Sequence, residues 1–189
     1  MTTAWVLGAI ATILLTFALW GCAGNTVYVN GVPNLIMVTP GVWRSGQPET
    51  AAQWQTLHDM GVRHVVKLNF MHEGVENGDQ PAVDLGMDVH LLSIQPEGDT
   101  DIFDEIENVF VKPDAALIRE ALRTMHGRDG VLVHCTHGQD RTGLVVGMFR
   151  VLELQMSKDD AYAEMLARGF HPELHGVHEF WESFDRSTW

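Results

Sequence analysis

Cys135 and Arg141 lie six positions apart in the segment VLVHCTHGQDRTG, Val131 to Gly143. A thiolate is a nucleophile, and a guanidinium offers parallel N–H donors to two oxygens of one anion. Held together, the two groups would grip an oxyanion and attack its central atom. The five residues between them, Thr136, His137, Gly138, Gln139 and Asp140, are enough to curl into a loop whose backbone N–H groups turn inward. A helix beginning near Arg141 would place its positive end under that loop, making an anion nest. A doubly charged phosphoryl group suits such a nest, and the same field favours thiolate over thiol at Cys135.

The elements around the loop are those that would build this arrangement. Val131–His134 is an uninterrupted run suited to a buried strand, delivering Cys135 to the carboxyl edge of a sheet, where open α/β sheets bind ligands. The stretch 141–154 reads as a helix apolar on most sides, hence central. Upstream, 26–30 and 35–38 are expected as short strands separated by a turn at 31–34, and 42–44 as an extended piece stopped by Ser45-Gly46-Gln47-Pro48. Ala51, Trp54, Leu57 and Met60 recur at helical spacing, with Gly61 placed to end the helix. Strands are predicted over 62–69 and 87–94, joined by a Gly- and Asp-bearing loop, and an acidic stretch then runs to about 110. A helix is expected at 114–126. Ser157 can cap another, reaching 168, and a last helix covers 174–184. Strands alternating with helices imply an α/β domain with a largely parallel sheet flanked by helices on both faces.

His134-Cys135, five intervening residues, then Arg141-Thr142-Gly143 resembles the signature loop of the protein tyrosine and dual-specificity phosphatase superfamily. Trp43 to Pro48 is similar to a segment near the start of the small atypical dual-specificity phosphatases, and the order of elements agrees, so the likeness spans 42–184. It implies a cysteine phosphatase-like fold and a phosphocysteine intermediate formed at Cys135. It also implies that Arg141 holds the equatorial oxygens and that Thr142 gives its hydroxyl to the leaving sulfur. Thr136, His137, Gly138, Gln139 and Asp140 would line the bound phosphate. His134 would orient the loop and help keep the thiolate ionised, and Arg44 would tie the loop from beside it. The chemistry so implied takes no metal and no cofactor. The general acid has two candidates. One is an aspartate of the acidic stretch (Asp99, Asp101 or Asp104), of which Asp104 best matches the family's spacing. The other is Asp140, since the Asp-Arg-Thr run resembles myotubularin-type lipid phosphatases and some secreted bacterial phosphatases.

The expected substrate is a phosphomonoester, on a phosphoprotein or a phospholipid. The loop carries no lysine, which favours phosphotyrosine or another single phosphate over highly charged inositol phosphates, while Asp140 points the other way by resemblance. A phosphate-binding pseudo-phosphatase and a rhodanese-type sulfur transferase are the remaining alternatives, and the five-residue gap and Thr142 argue against the second.

The bulk composition bounds these readings. The chain has 189 residues, 46% apolar and 20% charged, with a formal net charge of −13. That is a globular composition, and its acidity opposes nucleic-acid binding, which needs a basic face. Two cysteines exclude a disulfide framework. No charged residue or histidine precedes Arg44, and Ala4–Trp20 is almost wholly apolar. As a helix it would span roughly 25 Å, short of a bilayer core of roughly 30 Å but suited to a signal h-region or a short anchor. Leu19-Trp20-Gly21-Cys22 resembles a bacterial lipobox, although Trp20 replaces a small residue and no cation precedes the run. Residues 1–24 are therefore expected to be a signal peptide or membrane anchor with Cys22 as a possible lipidation site, and 25–189 the phosphatase domain. The chain would be membrane-associated or exported, in a bacterial cell envelope. His171, His175 and His178 have zinc-like spacing, but Pro172 and Gly176 interrupt it and a surface helix is expected. Asp99-Thr100-Asp101 opens like a calcium loop, but the later ligand positions do not follow.

Overall fold

The computed structural model describes residues 28–69, 78–94 and 112–189. The leader with Cys22, and the acidic stretch with Asp99, Asp101 and Asp104, lie outside the described residues.

β1 (Tyr28–Val29) and β2 (Val32–Pro33) form a small antiparallel hairpin. The expected turn over 31–34 is corrected by this pairing. The chain reverses on Asn30 and Gly31, at φ 51° and 78°, and a two-residue turn with both residues left-handed matches the strand twist. Val32 and Pro33 are thereby free to be strand.

The main sheet has five strands in the order β3-β4-β7-β5-β6: β3 (Ile36–Thr39), β4 (Val42–Ser45), β5 (His64–Lys67), β6 (Asp88–Leu91) and β7 (Val131–His134). Only β3 runs antiparallel to its neighbour; the other pairings are parallel. α1 (Ala51–Asp59) starts at a capping box in which Thr50 accepts from the Gln53 amide. α2 (Gln80–Asp84), with Pro81 in its first turn, occupies part of what the sequence suggests as loop. α3 (Ala115–Met125), α4 (Asp140–Leu152), α5 (Lys158–Ala167) and α6 (His175–Ser183) follow, and a 3₁₀ turn (Arg186–Thr188) closes the chain.

β7 is buried along its whole length because both faces are covered. Val131 and Val133 join a core with α3, α4, α5 and α6, whereas Leu132 packs with Trp54, Leu57 and Val65 on the opposite face. α4 is the central helix. A Cβ at Gly147 would come within 2.7 Å of the Met165 sulfur and 3.2 Å of Trp181, so α5 and α6 close on α4 only over a bare backbone. Among the described residues no helix is long and apolar enough to cross a membrane.

Candidate active site

β7 ends at His134, Cys135 follows it, and α4 begins at Asp140, so the loop 135–139 sits at the carboxyl edge of the central strand. Cys135 is 3% exposed and, among the described residues, paired with no other cysteine. Arg141 occupies the first turn of α4 and is half-buried.

The loop's conformation is set from outside, by the chain around β4. The Gln47 amide donates to the Thr136 carbonyl at 3.0 Å. The Asn34 side-chain amide donates to the His137 carbonyl at 2.9 Å, and Arg44 Nη2 to the Gly138 carbonyl at 2.7 Å. Gln139 O accepts from the Gly143 amide at 2.8 Å, as the first acceptor of α4. Four successive carbonyls are thus committed to neighbours of the loop. Drawing the first three of these carbonyls toward the β4 side turns the N–H groups of the same trans peptides the other way, which is the geometry of an anion nest. Gly138 makes the approach possible. Its φ is +72°, and a Cβ there would meet Ser45 O at 2.4 Å and Gly46 N at 2.6 Å. The segment Arg44-Ser45-Gly46-Gln47 is therefore the mould in which the loop is cast.

Arg44 is 2% exposed. Burial lowers its pKa to about 10, against the opposing pull of Cys135 and Glu164, so it remains a cation at neutral pH behind the nucleophile.

A polar cluster beneath the loop escapes the sequence reading. Lys67, at the end of β5, is 3% exposed and ion-pairs with Asp79. Asp79 accepts from Gln47 Nε2 at 3.0 Å, Asn69 Nδ2 donates to Gln47 Oε1 at 3.3 Å, and His134 Nε2 lies 3.6 Å from Asp79. The His134 ring meets Trp54 edge-on at 5.9 Å between centroids. Burial pushes the His134 pKa down to about 4, with Asp79 only partly offsetting it. The ring is neutral at pH 7, so whatever it does for the thiolate it does without a charge. Burial also opposes ionisation of Asp79, but His134, Lys67 and Gln47 together hold its pKa below the ordinary value. The available signal was Lys67 itself, a charge inside the apolar run Val65-Val66-Lys67-Leu68, since a fully buried lysine demands a partner.

The remaining candidates are placed as follows. Thr142 is fully buried, and its hydroxyl meets no hydrogen-bond partner among the described residues. Such a group costs about 1–3 kcal/mol unless something else engages it. Asp140 faces His171: Oδ1 accepts from the His171 amide at 2.8 Å, and both carboxylate oxygens lie within 3.2 Å of His171 Nδ1. His137 is exposed, and Gln139 is packed against Gly169. Of the histidines with zinc-like spacing, His171 serves Asp140, and His178 stacks on Tyr162 at 5.7 Å while its Nε2 lies 3.1 Å from the Tyr162 hydroxyl. They form no common site.

Comparisons with known proteins find likeness of sequence and of fold. Residues 36–167 match the family model described as the tyrosine phosphatase family. The dual specificity protein phosphatase TpbA of Pseudomonas aeruginosa is 29% identical over 143 residues, covering 74% of this chain and 56% of its own length. The chain thus spans just over half of that curated relative. Among solved structures, P. aeruginosa TpbA in complex with phosphotyrosine superposes with a TM-score of 0.58 at 22% identity, covering 82% of this chain and 86% of that one. The catalytic core of the PP-IP phosphatase Siw14 from S. cerevisiae, in complex with citrate, gives 0.64 at 18% identity, covering 87% and 91%. At these identities the structural likeness speaks for the fold.

Proposed function

This chain belongs to the tyrosine phosphatase family, and on that premise we propose that it hydrolyses phosphate monoesters through a covalent phosphocysteine. The observation that carries the proposal is the outward anchoring of the Thr136, His137 and Gly138 carbonyls by Gln47, Asn34 and Arg44. A backbone held that way is built for an anion, and it stands between a buried cysteine and an arginine.

In the proposed reaction the Cys135 sulfur bonds to phosphorus as the ester P–O bond breaks, and the leaving oxygen takes a proton from a carboxyl group. Arg141 and the loop amides hold the equatorial oxygens through the transition state. Water then attacks phosphorus, the S–P bond breaks, and the Thr142 hydroxyl supports the departing sulfur. The unengaged Thr142 hydroxyl fits that late role. Because the Asp140 carboxylate is turned to His171, we assign it the positioning of the loop's end and give the acid's role to the 99–104 segment, with Asp104 first. The Asp-Arg-Thr resemblance supports the reverse assignment, and variants at both positions decide between them.

For substrate we propose phosphotyrosine or a similar single phosphate. The loop side chains Thr136, His137, Gln139 and Asp140 include no lysine, and the related TpbA structure holds phosphotyrosine. The second reading, an inositol-type phosphate, is supported by the likeness to the PP-IP phosphatase. Turnover of an aryl phosphate, sensitive to vanadate and lost in Cys135→Ser and Arg141→Ala, tests the reaction. Absence of turnover in the reduced wild-type chain would favour a phosphate-binding pseudo-phosphatase. A phosphotyrosine peptide run beside inositol phosphates and phosphoinositides ranks the substrates. We propose further that residues 1–24 attach or export the domain in a bacterial envelope. Release of the chain to the soluble fraction on deleting 1–24, or on Cys22→Ser if the anchor is a lipid, checks this.

A further inference from the structure

Two histidines and an aspartate converge at the far end of the sheet from Cys135. His64 opens β5 and Asp88 opens β6, and the two are register partners in a parallel pair. His90 is two residues along β6, so all three side chains share one face. His64 Nδ1 lies 3.6 Å from Asp88 Oδ2, and His90 Nε2 lies 3.0 Å from the same oxygen. One ligand-type atom from each residue falls within 4.8 Å of the other two. A tetrahedral ion with bonds of about 2.0–2.2 Å would hold its ligand atoms about 3.3–3.6 Å apart. The two distances to the carboxylate bracket that edge length.

His64 Nδ1 and His90 Nε2 are both sealed from solvent, yet neither makes a hydrogen bond to any described residue, despite the nearby carboxylate. At 3.0 Å an aligned N–H would bond to that oxygen. Neither nitrogen is aligned on the carboxylate as a hydrogen-bonded pair would be, which leaves both lone pairs available to a cation. The rings stand 6.5 Å apart at 39° and do not stack. Imidazole nitrogen with carboxylate oxygen is the donor set of zinc-class divalent ions. Asp88 is 60% exposed on its side chain, which leaves solvent access for a fourth ligand.

We propose that His64, Asp88 and His90 form a three-ligand site for a zinc-class divalent cation, separate from the phosphatase centre. His64 is level with Val131, and Lys67 with His134. Three residues of strand, about 10 Å, therefore separate the site from the end of the sheet that carries Cys135. A cation there straps edge strand β6 to β5, and its effect is on stability rather than on turnover.

The test uses the full chain carrying Cys135→Ser, so that the thiol cannot supply a ligand. Zn²⁺ titration by calorimetry is expected to show one equivalent, and Co²⁺ the intense visible absorption of a four-coordinate ion. His90→Ala or His64→Gln should weaken binding at least tenfold and abolish the cobalt band, and Asp88→Asn should weaken it less. In the chain with Cys135 intact, His90→Ala should leave turnover of an aryl phosphate within twofold of wild type, while the gain in thermal midpoint on adding zinc disappears. Binding of equal strength in the combined His64→Gln, His90→Ala protein, or no binding in the parent, overturns the site.

Discussion

Gly138→Ala probes the mould around the loop with one methyl group. Two costs arise. An alanine held at φ +72° pays about 1–2 kcal/mol in the left-handed region. The new carbon would also stand 2.4 Å from Ser45 O and 2.6 Å from Gly46 N, both backbone atoms. Relief needs the loop to move about 1 Å from β4, judged against ordinary van der Waals contact of about 3.5 Å. That movement stretches the Arg44–Gly138 and Gln47–Thr136 bonds together. A displacement of about 1 Å at a reacting centre can cost on the order of 100-fold in rate. The expected outcome is a fall of that order in kcat for an aryl phosphate, with vanadate inhibition weakened in parallel and the thermal midpoint lowered by several degrees. Gly127→Ala is the control: its φ is +63° but nothing stands within 4 Å of the added carbon. It should lose about 1–2 kcal/mol of stability from strain and keep its activity. Near-wild-type turnover and vanadate affinity in Gly138→Ala would refute the reasoning.

Arg44→Met should remove a buried cationic donor from the Gly138 carbonyl, costing roughly 1.5–3 kcal/mol in chemical denaturation and depressing vanadate affinity. Arg44→Lys should restore the charge but only part of either loss, because a single ammonium does not reproduce the guanidinium's reach. His134 takes up a proton near 6.5 when unfolded but only near 4 when folded, so stability falls as pH drops through that window. At about 1.4 kcal/mol per pH unit, the fold should be roughly 2 kcal/mol weaker at pH 5 than at pH 7 on this account. Asp79, held below its ordinary pKa, extends the loss to lower pH. Denaturation of His134→Gln at the two pH values should show that difference largely removed. Asp104→Asn should slow hydrolysis of an alkyl phosphate far more than that of an aryl phosphate with a good leaving group. Asp140→Asn should slow both about equally, and the opposite pattern would move the acid to Asp140.

The loop and most of the strands and helices could be anticipated because their signals are local. Val131-Leu132-Val133 is an unbroken apolar run leading into Cys135, and the helix from Asp140 follows a spacing that few loops share. Ser157 announces its helix by capping chemistry that a sequence displays directly. The hairpin at 28–33 was less legible, because Pro33 in a strand and a short Asn-Gly turn read more readily as a single turn. The partners Asp79 and Lys67, twelve positions apart, and His134, a further fifty-five from Asp79, meet only through parallel pairing of β5 with β7. No local pattern encodes such a meeting. The same holds for His64 with Asp88 and His90, joined by register across β5 and β6.

The central claim is that the sulfur at position 135 becomes covalently phosphorylated during turnover. Rapid acid quench of the full chain with an aryl phosphate, followed by mass analysis of its peptides, should find one phosphoryl group on Cys135. The group should accumulate further in Thr142→Val, whose second step is impaired, and be absent in Cys135→Ser. Turnover that persists in Cys135→Ser, or a phosphoryl group carried on any other residue, would contradict the account.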